Sequence, residues 1–392
     1  MKLTKLMLSA LVAAFALVSC NKQDTTPEIS GRLKSVELSL ANVEFTKAVT
    51  DKFLTANDQV VLKNFKIFLT DGTNLVTTLA DAPEAQQFYY AASAETPLPG
   101  NAVIHYVPAA VSKVIIVGNV EETWGDTFTT YAQLKAAALD INAQQAYDNL
   151  TLYGESGLTP AGEVHNHSNN TTYNLYEANV SVAPLIARFE VDGFAMRFSK
   201  DNPKYDKVVV KQIALNNYYT ATTLNPLAPS APVDRVGAVN DVNAFKFFAD
   251  NLTVTENNWY YDALAADEVV LTKPAAADGQ GNFIAVDDMA SKKAYHFFPG
   301  TDVPVIFIDL DVYPIGSSAA TPSYLFSKEF KTSAGEPVTF APGYVYRMNF
   351  QGDVTGDGDL PFEEDDINEL DRCLDITVEV VRWAVVTIFP EF

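Results

Sequence analysis

Short strand-like runs rich in apolar residues, cut off by turn residues, recur along almost the whole chain. Successive side chains of a strand point to opposite faces, so a run that alternates apolar and polar residues is half-buried. Many in succession dictate stacked sheets. The first is SVELSLANVEFT (35–46). Val36, Leu38 and Leu40 alternate with polar residues, then Val43 and Phe45 repeat the pattern after a one-residue shift, which predicts a bulge near Ala41 and Asn42. VVLKNFKIFLT (60–70), NAVIHYVP (101–108) and SKVIIVGNV (112–120) follow. TYNLYEANVSVAPLIARFEVDGFAMRF (172–198) reads as two strands broken at Pro184. Then come KVVVKQIALNNYYTA (207–221), EVVLTK (268–273), KAYHFFP (293–299), VPVIFIDLDVYP (303–314), SYLFSKEF (323–330) and GYVYRMNF (343–350).

One helix is predicted in TTYAQLKAAALDINAQQ (129–145), where Thr130 and Gln133 form a capping box, with a second helical turn over 144–149. The Asn- and His-rich stretch PAGEVHNHSNNTT (160–172) reads as an exposed loop. Strands never alternate with long helical patterns. The fold class is therefore all-β: two tandem antiparallel β-sandwich domains, 48–184 and 185–350, with a minor helix in the first. The chain has 392 residues, enough for two cores.

DITVEVVRWAVVTIFPEF (375–392) is a long terminal strand behind an acidic linker, 351–374. Ile376, Val378 and Val380 alternate with Thr377 and Glu379, and Trp383, Val385, Val386 and Ile388 continue the apolar character. A lone strand leaves its backbone groups unsatisfied, so this one must join a sheet in its own subunit or in another.

A net charge of −22 argues against nucleic acid and against electrostatic binding to anionic lipid. Two cysteines, Cys20 and Cys373, exclude a disulfide framework, and four scattered histidines offer no metal or catalytic cluster. The N-terminus is a signal sequence: Lys2 and Lys5, then an apolar core over 6–18. Leu17-Val18-Ser19-Cys20 looks like a bacterial lipobox, in which the cysteine is acylated and becomes the new N-terminus; an ordinary secretory signal with a chance cysteine is the other reading.

Candidate chemistry is sparse. GDVTGDGDLPFEEDD (352–366) has the register of a calcium loop: Asp353, Thr355, Asp357 and Asp359 at positions 1, 3, 5 and 7, and Glu364 at 12. Thr355 and Pro361 depart from that pattern and a strand precedes it, so an acidic linker is the plainer reading and a calcium site the weaker one. His165 and His167 on a loop make a weak metal pair. Trp124, Trp259, Tyr260 and Tyr261 suit a glycan platform or, more simply, packing. No motif of a known catalytic class stands out, so a non-enzymatic role is expected.

The chain resembles the fimbrillins of Bacteroidales pili, whose subunits are lipoprotein precursors. The likeness lies in the lipobox at Cys20, in SVELSLANVEFT, in VPAAVSKVIIVGNV (107–120), in YEANVSVAPLIARFEV (176–191), in FAPGYVYRMNF (340–350) and in ITVEVVRWAVVTIFPEF (376–392). It implies transthyretin-like sandwiches and a shaft subunit supporting adhesion and biofilm. After the signal peptide (1–20), a propeptide (21–47) carries a removable strand with Val36, Leu38, Leu40, Val43 and Phe45. A trypsin-like surface protease cuts the Lys47–Ala48 bond. Family members typically carry arginine there, so Lys47 points to a protease that accepts lysine. A cut at Arg32–Leu33 would leave the strand in place. The emptied groove then takes Ile376, Val378, Val380, Trp383, Val385 and Ile388 of the next subunit, head to tail. The implied partners are further copies, accessory pilus subunits and the protease. The implied location is a surface fimbrium, reached from an outer-membrane lipoprotein precursor. The alternatives are an accessory or anchor subunit and, from another class, a surface glycan-binding lipoprotein.

Overall fold

A computed structural model describes residues 33–41, 43–44, 60–76, 79, 82, 85–92, 98, 101–144, 149–166, 171–216, 218–219, 221–225, 260–264, 269–332, 334–350, 364, 367, 373–382 and 385–387. Its first half contains β1 (Lys34–Ala41), β2 (Val43–Glu44), β3 (Val60–Leu62), β4 (Asn64–Thr70), β5 (Leu75–Val76), β6 (Tyr89–Ala91), β7 (Asn101–Val107), β8 (Lys113–Gly118), α1 (Tyr131–Lys135), β9 (Ala138–Asp140), β10 (Leu152–Gly157), β11 (Thr159–Asn166), β12 (Thr171–Ser181) and β13 (Ala183–Pro184). The second half contains β14 (Ala187–Phe198), β15 (Tyr205–Asn216), β16 (Ala221–Thr223), β17 (Tyr260–Ala263), β18 (Val270–Thr272), β19 (Phe283–Phe297), β20 (Val305–Pro314), β21 (Thr321–Lys331), β22 (Tyr344–Phe350), β23 (Cys373–Arg382) and β24 (Val385–Thr387). The class is all-β with a minor helix in the first half.

Two sheets build the first half. One runs β11-β12-β1-β7; the other runs β13-β10-β8-β4-β5, with β6 also on β4. Val36, Leu38, Ile104, Ala178 and Val180 from the first sheet join Ile67, Leu69, Val114, Ile116 and Leu152 from the second in the buried core. The sheets meet where β10 passes β12. A side-chain carbon at Gly154 would overlap the Ser181 carbonyl, so only glycine permits this approach.

The second half is dominated by one curled nine-stranded sheet, β17-β15-β20-β21-β23-β22-β14-β19, with β18 also on β15. The Val270 amide of β18 donates to Asp287 Oδ2 of β19 at 2.8 Å, which ties the two ends of the curl together without a continuous ladder. Inside lies an aromatic core: Phe189 stacks on Phe297 and Phe330 at 4.5 and 5.4 Å, and Phe340 meets all three edge-on.

Among the described strands five pairings are parallel: β1 with β12, β14 with β22, β21 with β23, and β24 with both β2 and β3. A period-two pattern carries no strand direction, so the sequence held no sign of this. The helix is far shorter than expected. The capping box forms, with the Gln133 amide donating to Thr130 Oγ1 at 3.2 Å and the Thr130 amide to Gln133 Oε1 at 3.1 Å. Ala138–Asp140 then leaves helical geometry to pair with β16, a tertiary contact that outweighs alanine's helix preference. The expected loop over 160–172 is also corrected. Most of it is the β11–β12 hairpin, whose polar, exposed outer strand is held by backbone pairing and so lacks the apolar alternation that would announce it.

Candidate functional site

β1 is an interior strand, with β12 parallel on one side and β7 antiparallel on the other. Its alternation works as read: Val36 and Leu38 are 0 and 2% exposed, and Leu40 is half-buried at the core's margin. The polar end of β1 is buried too, which the pattern did not predict. The pairing skips a residue between Lys34 and Val36, so His105 and Tyr106 together oppose Ser35. Tyr106 takes a left-handed conformation at this bulge, with φ 63°. Ser35 Oγ lies 2.7 Å from His105 Nδ1. Lys34 lies 4.2 Å over the Tyr176 ring and donates to the Val111 carbonyl at 3.1 Å. The slot thus has an apolar floor and a polar end that fixes register.

The predicted removable strand is not one unit. β1 ends at Ala41, whereas Val43 belongs to β2, in a different sheet where β24 lies between β2 and β3. The change of face read near Asn42 is where the chain leaves one sheet for another. Phe45, Lys47, Ala48 and Cys20 lie outside the described residues. At the other end, Ile376, Val378 and Val380 belong to β23, between β21 and β22, and Val378 is 2% exposed. Val385 belongs to β24; Trp383 and Ile388 lie outside the described residues.

The acidic stretch is not a free arm throughout. Glu364 and Ile367 are 1 and 3% exposed. The Glu364 carboxylate accepts the amides of Ser199 at 2.7 Å, Lys204 at 2.5 Å and Tyr205 at 2.7 Å, and its own amide donates to the Arg197 carbonyl at 3.0 Å. It therefore fastens the acidic segment to the turn between β14 and β15. Both oxygens accept backbone amides. Asp353, Thr355, Asp357 and Asp359 lie outside the described residues. Among the described residues no group of three or more His, Cys, Asp or Glu is placed to hold a metal. His165 is exposed and bonds Thr172 across the hairpin at 3.2 Å; His167 lies outside the described residues. Trp124 meets Phe68 and Phe128 edge-on at 6.0 and 5.5 Å, as a packing residue.

A buried charged cluster joins β14, β22 and β19. Glu190 sits between Arg188 Nε at 2.9 Å and Arg347 Nε at 3.4 Å. His296 lies opposite Arg188, with Nε2 3.5 Å from the guanidinium and Nδ1–H donating to the Gln144 carbonyl at 2.7 Å. Gln144 belongs to the first half, so this cluster joins the two halves. Burial, and next the Arg188 cation, lower the His296 pKa to about 4. Below its ordinary 6.5 the unfolded chain takes up a proton that the folded chain refuses until about pH 4. Stability from this group is therefore full above pH 6.5 and lost as pH falls towards 4, on the order of 3 kcal/mol across the window. His296→Gln should flatten the fall in melting midpoint between pH 7 and 4.5. Equal slopes in the two proteins would refute this assignment.

No family model and no curated protein matches the chain. Two solved structures, each described as a "putative cell adhesion protein", do match. One, from Bacteroides eggerthii, is 16% identical, with 92% of this chain and 98% of that one aligned at a TM-score of 0.50. The other, from Parabacteroides distasonis, is 15% identical, with 92% and 99% aligned at a TM-score of 0.52. The chain shares their fold. The tip fimbrial protein Mfa3 of Porphyromonas gingivalis also aligns, over 90% of this chain and 100% of that one, but at 10% identity and a TM-score of 0.35, too low to establish a common fold. These two structures match nearly from end to end, so the likeness extends to both halves of the fold.

Proposed function

We propose that the chain is a structural subunit of a surface fimbrium, in the shaft, and that it polymerises when a protease removes its first strand and a strand of another copy takes the vacant slot. It performs no catalysis in this reading. The observation that carries it is the position of β1, inside its sheet, with both neighbours far along the chain at Asn101–Val107 and Thr171–Ser181. One cut between β2 and β3 leaves β1 held by hydrogen bonds and packing alone. Two lysine bonds lie between β2 and β3, Lys47–Ala48 and Lys52–Phe53, and the resemblance to fimbrillins favours the first. Lys34, inside β1, is 6% exposed and so shielded from a protease. The resemblance to fimbrillins and the fold shared with cell-adhesion proteins point the same way, as does the lipobox at Cys20, which would hold the uncut precursor on the outer membrane.

An emptied slot exposes two rows of unpaired backbone groups above an apolar floor. Such an edge captures an extended segment by backbone bonding, and its pockets select register. Val36 and Leu38 each contribute roughly 1.5–3 kcal/mol by burial, and a replacement must offer similar side chains. Limited trypsin treatment of the purified precursor should give a new N-terminus at Ala48 or Phe53 and an SDS-resistant ladder, while the double variant Lys47→Ala/Lys52→Ala stays monomeric. A fully cut chain that remains monomeric would remove the basis for strand exchange.

A further inference from the structure

β24 is the middle strand of a small, all-parallel sheet. Val385 lies opposite Val43 and Val60, Val386 opposite Glu44 and Val61, and Thr387 opposite Leu62. Its two neighbours, β2 and β3, stand on either side of the Lys47–Ala48 bond in the chain. The C-terminal strand therefore bridges the two fragments that a cut at this bond would create.

β23 and β24 are held very differently. β23 registers with five residues of β21 and six of β22. Withdrawing it would separate β17-β15-β20-β21 from β22-β14-β19 and break the sheet in two. β24 registers with two residues of β2 and three of β3. Pairings this short are marginal by themselves and hold only while both sides are covered.

We infer that β2 is a lock on the C-terminal strand: while the N-terminal segment is attached, β24 is kept in its own subunit, and the cut that empties the β1 slot also frees β24 for a second copy. This rests on the strand-exchange reading and names the segment that moves. β23 stays as the fixed root, and β24 with the residues after it is the part donated. Once β2 departs, β24 keeps only its three-residue pairing with β3 and presents an open backbone edge. The best available cover is the longer slot between β12 and β7 of another subunit. The uncut precursor is inert at both ends, because its slot is full and its donor is clamped.

Hydrogen exchange followed by mass spectrometry tests this. Adjacent amides of a strand point to opposite sides, so replacing both Val43 and Glu44 by proline removes whichever amide faces β24. In the uncut V43P/E44P chain the amides of Val385–Thr387 should exchange at least about tenfold faster than in the uncut wild type, while those of β1 keep their protection. Equal protection of β24 in the two chains overturns the lock. The two ideas fail separately. A trypsin ladder from the wild type with unchanged β24 protection in the proline variant leaves exchange standing and removes the lock. Faster β24 exchange in that variant without any ladder keeps the lock and removes exchange.

Discussion

A chain ending at Arg382 should fold with near-wild-type stability, accept a donor strand after cleavage, and add no further subunit. The truncation spares β23, which lies between β21 and β22 with Val378 buried, and removes only the segment that β2 and β3 hold. Mixed with full-length cleaved protein, it should act as a terminator: filaments shorten steeply as its fraction rises, because each copy fills a slot but donates nothing. Electron microscopy of filament length and the SDS ladder read this directly. A truncated chain that extends filaments as well as the full-length protein would place the donor elsewhere. A truncation starting at Val378, which the sequence pattern alone suggests, is a poorer experiment. It removes half of an interior strand and strips β22 of five of its six paired residues, so failure to polymerise could reflect a damaged sheet.

Glu364→Ala should destabilise the second half by on the order of 3–5 kcal/mol, among the largest single-residue effects in the molecule. The carboxylate serves three backbone amides at the β14–β15 turn from a position 1% exposed. Its removal orphans those donors and opens a hole beneath the turn. Glu364→Gln keeps one acceptor oxygen and should lose less. Chemical denaturation of the two variants gives the comparison. If alanine and glutamine are both within about 1 kcal/mol of wild type, the three amides find water instead and the anchor is dispensable. The same geometry predicts that calcium will not rescue Glu364→Ala, because the wild-type carboxylate is already committed to amides.

Most strands were legible because half-buried strands advertise themselves by alternation. Val36 and Leu38 show it, whereas β4 and β8, buried on both faces, were legible as short continuous apolar runs. Pro184 marked the break between β12 and β14, and Thr130 with Gln133 marked the start of α1. What stayed hidden rests on contacts rather than pattern. β11 is held by backbone bonds to β12 and buries little. The first part of β19, FIAVDDMASK, pairs with β14, but its apolar Val286 is exposed, so no clean alternation marked the strand. Glu364 is one acid among many in its stretch, and nothing in composition separates the carboxylate that meets three amides from those around it. The bulge at His105 and Tyr106, which receives Ser35, sits inside an ordinary-looking strand. The terminal run DITVEVVRWAVVTIFPEF read as one strand, whereas β23 and β24 divide it between two sheets with different partners.

The position of β1 also fixes an order of events during folding. Hairpins such as β11–β12 and β20–β21 join neighbours in the chain and close short loops. β1 must instead find Asn174–Ser181 and Asn101–Val107, and its slot does not exist until both of those strands are in place. Distant pairings of this kind form late, after local ones have lowered their entropic cost. The rest of the first half must therefore assemble around an open cleft, for a time, without its first strand. A fold that reaches its native state by that route has already passed through something close to the form a protease would later regenerate.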